Sequence, residues 1–137
     1  MTLCSSLWLN AQNFIHPGML HTQADLDRTK AKVEAGEEPW ASAYRKLLTS
    51  PHVSLDWKAA PVEKIVRGGR TIWEPDPDNY QLAYRDAATA YQCALVWHIS
   101  GDKAYADKSV QILNAWAKTC KKVSGDTNAC LAYGLYG

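Results

Sequence analysis

The sequence has a single phenylalanine, almost no net charge and no long apolar run. Each of these shortages excludes something. Fifteen Lys and Arg stand against fourteen Asp and Glu, for a formal charge of +1. Without a basic surplus there is no electrostatic footprint for nucleic acid or for an anionic membrane surface. An acidic substrate stays open, because a groove needs only a few local cations. No stretch approaches the roughly 20 apolar residues that a membrane-spanning helix requires. Cys4, Cys93, Cys120 and Cys130 make no C-x-x-C pair and keep no metal-ligand spacing with the four histidines. That argues against a zinc site, and the expected metal and cofactor complement is none. Cys120 and Cys130 are spaced to bridge a loop in an oxidising compartment. Cys93 falls on an apolar helical face and reads as a small buried hydrophobe.

Against the one Phe stand six Trp and seven Tyr. Both side chains join a flat apolar face to a polar tip, which suits surfaces that are part packed and part wet. Sugar rings, with apolar C–H faces and hydroxyl rims, are one partner for such surfaces; core packing is the commoner use of any single ring. The composition, 47% hydrophobic and 21% charged over 137 residues, is that of one globular domain with a useful core. Residues 1–15 resemble a weak remnant of a secretory leader, without a basic start and interrupted by Asn10, Gln12 and Asn13. Residues 16–137 are read as the folded part.

The spacing predicts four helices. The first follows His21-Thr22, with Thr22 as N-cap, Asp25 as the acid of a capping box and Gly36 as the stop. The second begins near Pro39 and ends before Pro51. The third is expected over about 80–100, with Ala83, Ala87, Ala90, Ala94 and Trp97 as its apolar stripe. Gly101 then closes it, and Asp102 caps a fourth helix over about 103–121 that presents Ala106, Val110, Leu113, Ala117 and Cys120. Short connections make each pair an antiparallel hairpin. Trp40, Trp97 and Trp116 have core spacing, and His16, His21 and His98 read as structural residues. After Lys122 a Ser-Gly-Asp loop leads into an apolar tail, Cys130 to Gly137, read as the start of another helix.

Between the hairpins the pattern fails from His52 to Asn79, where Pro61, Pro75 and Pro77, with Pro51 just before, Gly68-Gly69 and several Asp describe a long irregular loop. It carries the candidate binding residues. Arg67 and Arg70 flank the glycine pair; the functional reading has the glycines let the backbone approach a ligand while the guanidinium groups fork onto carboxylates. The plain reading is two solvated surface cations. Trp73 is the best tryptophan for sugar stacking. Asn79, Tyr80 and Tyr84 open the third helix beside the loop, with an N-cap the simpler role for Asn79. Gln92, a polar residue on an Ala-rich helix, faces either a sugar or solvent.

Three stretches together resemble the alginate-lyase-like family of polysaccharide lyases. They are Phe14-Ile15-His16-Pro17-Gly18-Met19-Leu20-His21-Thr22-Gln23-Ala24-Asp25-Leu26-Asp27-Arg28, then Glu38-Pro39-Trp40, then Asp86-Ala87-Ala88-Thr89-Ala90-Tyr91-Gln92 with Gly101-Asp102-Lys103-Ala104-Tyr105-Ala106-Asp107-Lys108 and Ile112-Leu113-Asn114-Ala115-Trp116-Ala117. The terminal Ala132-Tyr133-Gly134-Leu135-Tyr136-Gly137 is similar to the family's lead into its next helix. The resemblance implies an all-α fold of antiparallel helical hairpins forming an incomplete (α/α) toroid, with residues 52–79 as a lid or groove wall. It implies an acidic polysaccharide, a uronate polymer of the alginate or glucuronan type, as partner and β-elimination as the reaction, with a secreted or periplasmic location. The family's Asn/His pair and its Tyr with a nearby Arg have no match here. The chain is therefore expected to be the opening part of a larger lyase, inactive alone. The competing expectation is a non-catalytic helical module that binds carbohydrate or protein; the long loop breaks the fixed period of about 34 residues that tetratricopeptide-type arrays keep.

Overall fold

The computed structural model describes residues 20–125. Helices account for most of them: α1 (Gln23–Glu34), α2 (Trp40–Leu48), α3 (Gln81–Ser100) and α4 (Lys103–Thr119), with a 3-10 turn at Pro51–Val53. Two short strands, β1 (Lys64–Arg67) and β2 (Lys122–Gly125), complete the order. The expected leader and the apolar tail both lie outside the described residues.

Local chemistry sets four of the helix ends where the sequence places them. Thr22 Oγ1 accepts from the Asp25 amide at 3.2 Å while Asp25 Oδ2 accepts from the Thr22 amide at 3.1 Å, which closes the capping box of α1. At the other end Gly36 takes a φ of 69°, and the Gly36 and Glu37 amides return to Val33 and Lys32 in a Schellman arrangement. Gly101, at φ 77°, ends α3, and the Asp102 side chain accepts from the Ala104 amide to start α4. That two-residue turn folds α4 back along α3, while α1, α2 and the 3-10 turn pack against other parts of α3. α3 is thus the central element.

The faces that α3 and α4 bury differ from the stripes expected of them. On α3 the buried residues are Asp86, Thr89, Ala90, Cys93 and Val96; on α4 they are Ser109 and Ile112, with Trp116 half-buried. Trp97 is 42% exposed, Val110 55% and Leu113 56%, so the core role given to Trp97 and the stripe through Val110 and Leu113 are corrected. Both helices are turned by one residue, about 100°, from the hydrophobic reading. The reason lies in the polar residues of the true face. Asp86, Thr89 and Ser109 are buried because they are hydrogen-bonded or small, and a pattern of apolar residues passes over them.

The all-α expectation holds for the helices and is corrected by the sheet. β1 and β2 pair in parallel, Lys64 with Lys122 through Arg67 with Gly125. Parallel strands need a long crossover, and here the whole α3–α4 hairpin supplies it. Residues 123–125, expected as loop, are therefore strand. Two strands alone are marginal; these are held by Ile65 and Val66, which are buried, and by side chains from the loop that follows β1.

Candidate functional site

Asn79 supplies the first of those side chains. Its Oδ1 accepts from the Val66 amide at 2.7 Å and its Nδ2 donates to the Lys64 carbonyl at 2.9 Å. The Asn79 and Tyr80 amides both donate to the Val66 carbonyl. Asn79 thus occupies the edge of β1 that faces away from β2 and does there what a third strand would do. The N-cap role is corrected: Tyr80 takes the cap position without a side-chain hydrogen bond, because the amide of Asn79 is committed to the strand.

Residues 68–78 form a closed, self-bonded loop. The Gly69 amide donates to Asp78 Oδ1 at 2.8 Å, the Arg70 amide to the Asp76 carbonyl at 3.1 Å and the Thr71 amide to the Glu74 carbonyl at 2.9 Å. A Cβ on Gly69 would come within 2.0 Å of the Asp76 carbonyl oxygen. The close approach that this glycine allows is to its own chain, not to a ligand. Arg70 adopts a φ of 60°, a left-handed conformation uncommon outside glycine. The loop turns at Ile72-Trp73, the two most exposed large apolar residues described.

Glu74 fastens this loop to the sheet from beneath. It is buried, and its carboxylate accepts from the Ser124 hydroxyl of β2, from Lys64 Nζ at 3.0 Å and from the Asp76 amide at 3.2 Å. The Ser124 hydroxyl bond, followed by the Lys64 bond, holds its carboxyl down at about 2, against the opposing effect of burial. Lys64 also pairs with Asp76, and these two carboxylates push its ammonium above the ordinary lysine range, Asp76 first.

On this base the structure brings three of the expected residues together. Arg67 leaves the end of β1, its guanidinium carbon 5.0 Å from the ring centre of Tyr80 and 5.9 Å from that of Tyr84, and it donates to the Tyr84 hydroxyl at 2.7 Å. Tyr80 and Tyr84 meet edge to face at 5.2 Å. Arg70 is exposed on the same loop, and Trp73 stands at its tip with 87% of its surface free. Gln92 lies apart, three turns along α3. Its Oε1 is shut off from solvent and has no hydrogen-bond partner among the described residues.

A second polar centre was missed by the sequence reading. Asp86 is only 1% exposed, yet three N–H groups converge on its carboxylate. Trp57 Nε1 donates to Oδ1 at 2.8 Å; the Ala60 amide at 2.8 Å and Trp116 Nε1 at 2.6 Å donate to Oδ2. One residue thereby joins residues 57–60, α3 and α4. One turn on, the buried Thr89 hydroxyl donates to the Arg85 carbonyl at 2.9 Å, so the proton in its 2.9 Å bond with His52 is carried by His52 Nδ1. Cys93 beside them is buried as expected, which raises its thiol pKa. Asp86 opens one of the stretches that carry the resemblance, but nothing there marks it as buried; the available signal was an acid inside an Ala-rich helix. Of the structural histidines, His21 Nε2 meets the Tyr91 hydroxyl at 2.5 Å and its ring stacks on Tyr91, and His98 contacts Gln23. His16 lies outside the described residues, as does Cys130, the partner considered for Cys120.

Among the described residues no three His, Cys, Asp or Glu side chains gather in a metal-binding cluster, and no helix is long and apolar enough to cross a membrane. No protein-family model, curated protein or solved structure matches the chain.

Proposed function

We propose that this chain is part of the substrate-binding wall of an acidic-polysaccharide lyase, one that cleaves a uronate polymer of the alginate or glucuronan type by β-elimination. In this reading the two helical hairpins are the first units of an incomplete (α/α) toroid. Its setting is secreted or periplasmic, where such polymers are met. The observation that carries the proposal is Arg67 set against Tyr80 and Tyr84 on the loop that ends in the bare indole of Trp73. A uronate chain offers both carboxylates and apolar C–H faces. A guanidinium held by aromatic rings answers the first, and an exposed indole answers the second. Lys64 engages Glu74 and Asp76, so of the three cations at this loop, which equal its three acids Glu74, Asp76 and Asp78 in number, Arg67 and Arg70 are left toward a polymer.

Elimination needs a neutralised carboxylate beside the C5 proton, a base to take that proton and an acid for the departing O4. The Arg67 loop fits the holding of carboxylates. Base and acid are assigned to no residue of this chain, so it is expected to bind without turnover. The test is electrophoresis of the protein through gels containing polyglucuronate, alginate or a neutral glucan. Retardation by the acidic polymers only, reduced in Trp73→Ala and in Arg67→Gln, is the expected result; equal mobility in all gels would sink the proposal.

A second reading, a protein-interaction module, is favoured by the open apolar face of α4 at Val110 and Leu113. It predicts that Val110→Lys with Leu113→Glu abolishes partner capture while polymer retardation stays as in the parent chain.

A further inference from the structure

Trp57, Lys58, Ala60, Leu82, Arg85 and Asp86 line a pocket of about 200 Å³. Drug-sized ligands occupy pockets of roughly 300–1,000 Å³, so this one suits a single ring and no more. Its lining divides by chemistry. Leu82 and the Trp57 indole are half-buried and apolar, whereas Lys58 and Arg85 are exposed cations at the rim. Arg85 lies over the Trp57 ring with its guanidinium carbon 5.5 Å from the centroid, an orienting contact that uses none of its N–H donors. Neither Arg85 nor Lys58 has an ion pair with any described residue, although acids are as abundant as bases along the chain. Asp86 forms the buried end. A carboxylate offers about four acceptor positions, and three N–H groups fill all but one of them, on Oδ1.

We propose that this pocket is a subsite for one carboxylated pyranose. The sugar carboxylate bonds to Arg85 and Lys58 at the rim, the ring lies against Trp57 and Leu82, and a hydroxyl donates to Asp86 Oδ1. The charges of the lining decide the polarity of the ligand. Two cations outweigh one carboxylate already engaged by donors, so an anion is attracted at the rim, while the buried acid selects a hydroxyl and rejects a second carboxylate. The assignment of a uronate rests on the reading of this chain as part of a uronate-binding wall; the pocket itself adds a second point of attachment, separate from the Arg67–Trp73 loop.

The test is a titration of the full chain, labelled with 15N, with D-glucuronate into the millimolar range expected of so small a ligand. The Trp57 indole N–H and the Ala60 amide should shift, glucose should leave them in place, and acetate should move them far less. Arg85→Gln and, separately, Lys58→Gln should weaken glucuronate binding about tenfold, the loss of one charge-assisted contact. The Trp116 indole N–H, which shares Asp86, reports in the same spectra that each variant is folded. No shift at Trp57 and Ala60, or equal shifts with acetate, overturns the subsite. If oligoglucuronate then still moves the Trp73 indole, the wall proposal survives without this pocket. If glucuronate moves Trp57 while no uronate oligomer affects Trp73, the pocket stands and the Arg67–Trp73 wall falls.

Discussion

Removing the Asp86 carboxylate is the sharpest perturbation of the packing. The side chain is buried and accepts from Trp57 Nε1, the Ala60 amide and Trp116 Nε1. A hydrogen bond to a charged group contributes about 1.5–3 kcal/mol, and a buried donor left without an acceptor costs about 1–3 kcal/mol. In Asp86→Ala the three losses do not simply add, because Ala60 is exposed and Trp57 half-buried, so water reaches both donors. The Trp116 indole, between α3 and α4, is the one hardest to rehydrate. The net expectation is a loss of about 3–5 kcal/mol. In Asp86→Asn the amide oxygen can keep the Ala60 and Trp116 bonds, but its NH2 then faces the Trp57 N–H, donor against donor. That variant should lose about 1–3 kcal/mol. Urea denaturation followed by tryptophan fluorescence reads both directly, since two of the reporters are the donors themselves. A loss under about 1 kcal/mol in Asp86→Ala would refute the view that this carboxylate ties the two helices and residues 57–60 together.

Four further outcomes follow from the same geometry. Glu74 has a carboxyl held at about 2 in the folded chain, below its ordinary value of 4.5, so its contribution is full above pH 4.5 and is lost as the pH falls towards 2; denaturant midpoints should drop across that window and do so less in Glu74→Gln, and identical pH profiles would contradict it. Asn79→Ala should cost about 1–3 kcal/mol by stripping the outer edge of β1, with faster amide exchange at Val66; unchanged exchange there would deny Asn79 its strand-like role. Gly69→Ala should disorder the loop, since its Cβ meets backbone oxygen at 2.0 Å, and a Trp73 indole signal unchanged in position and width would contradict this. Ile112→Ala should cost about 2–5 kcal/mol and Leu113→Ala under about 0.5 kcal/mol, the reverse of what the hydrophobic stripe implies; equal losses would restore that stripe.

What the sequence makes legible here is local. The Thr22 capping box, the Gly36 and Gly101 stops and the Asp102 cap depend on residues within one or two turns, and the structure has them as read. The strands were not legible, because β1 and β2 are four residues each and find one another across the whole α3–α4 hairpin. Helix rotation failed for a related reason. The buried faces of α3 and α4 are organised by Asp86 and its distant indole donors, and a periodicity built from apolar residues turns such a face outward. At the candidate site, Arg67 and Tyr80 meet at the two ends of the loop that carries the exposed Trp73 at its tip. Asn79, by contrast, is used up in holding β1, and the Gln92 oxygen, without a partner among the described residues, is shut off from solvent and lies away from the Arg67–Trp73 loop.

The central claim is that this chain holds uronate polymers through the Arg67–Trp73 loop, and calorimetric titration with an oligoglucuronate tests it most directly. The account predicts saturable binding of the acidic oligomer, none of a neutral glucan, and a loss of about tenfold in affinity in Arg67→Gln and in Trp73→Ala with the fold intact. No heat of binding with any uronate oligomer, or equal affinity in parent chain and both variants, would contradict it.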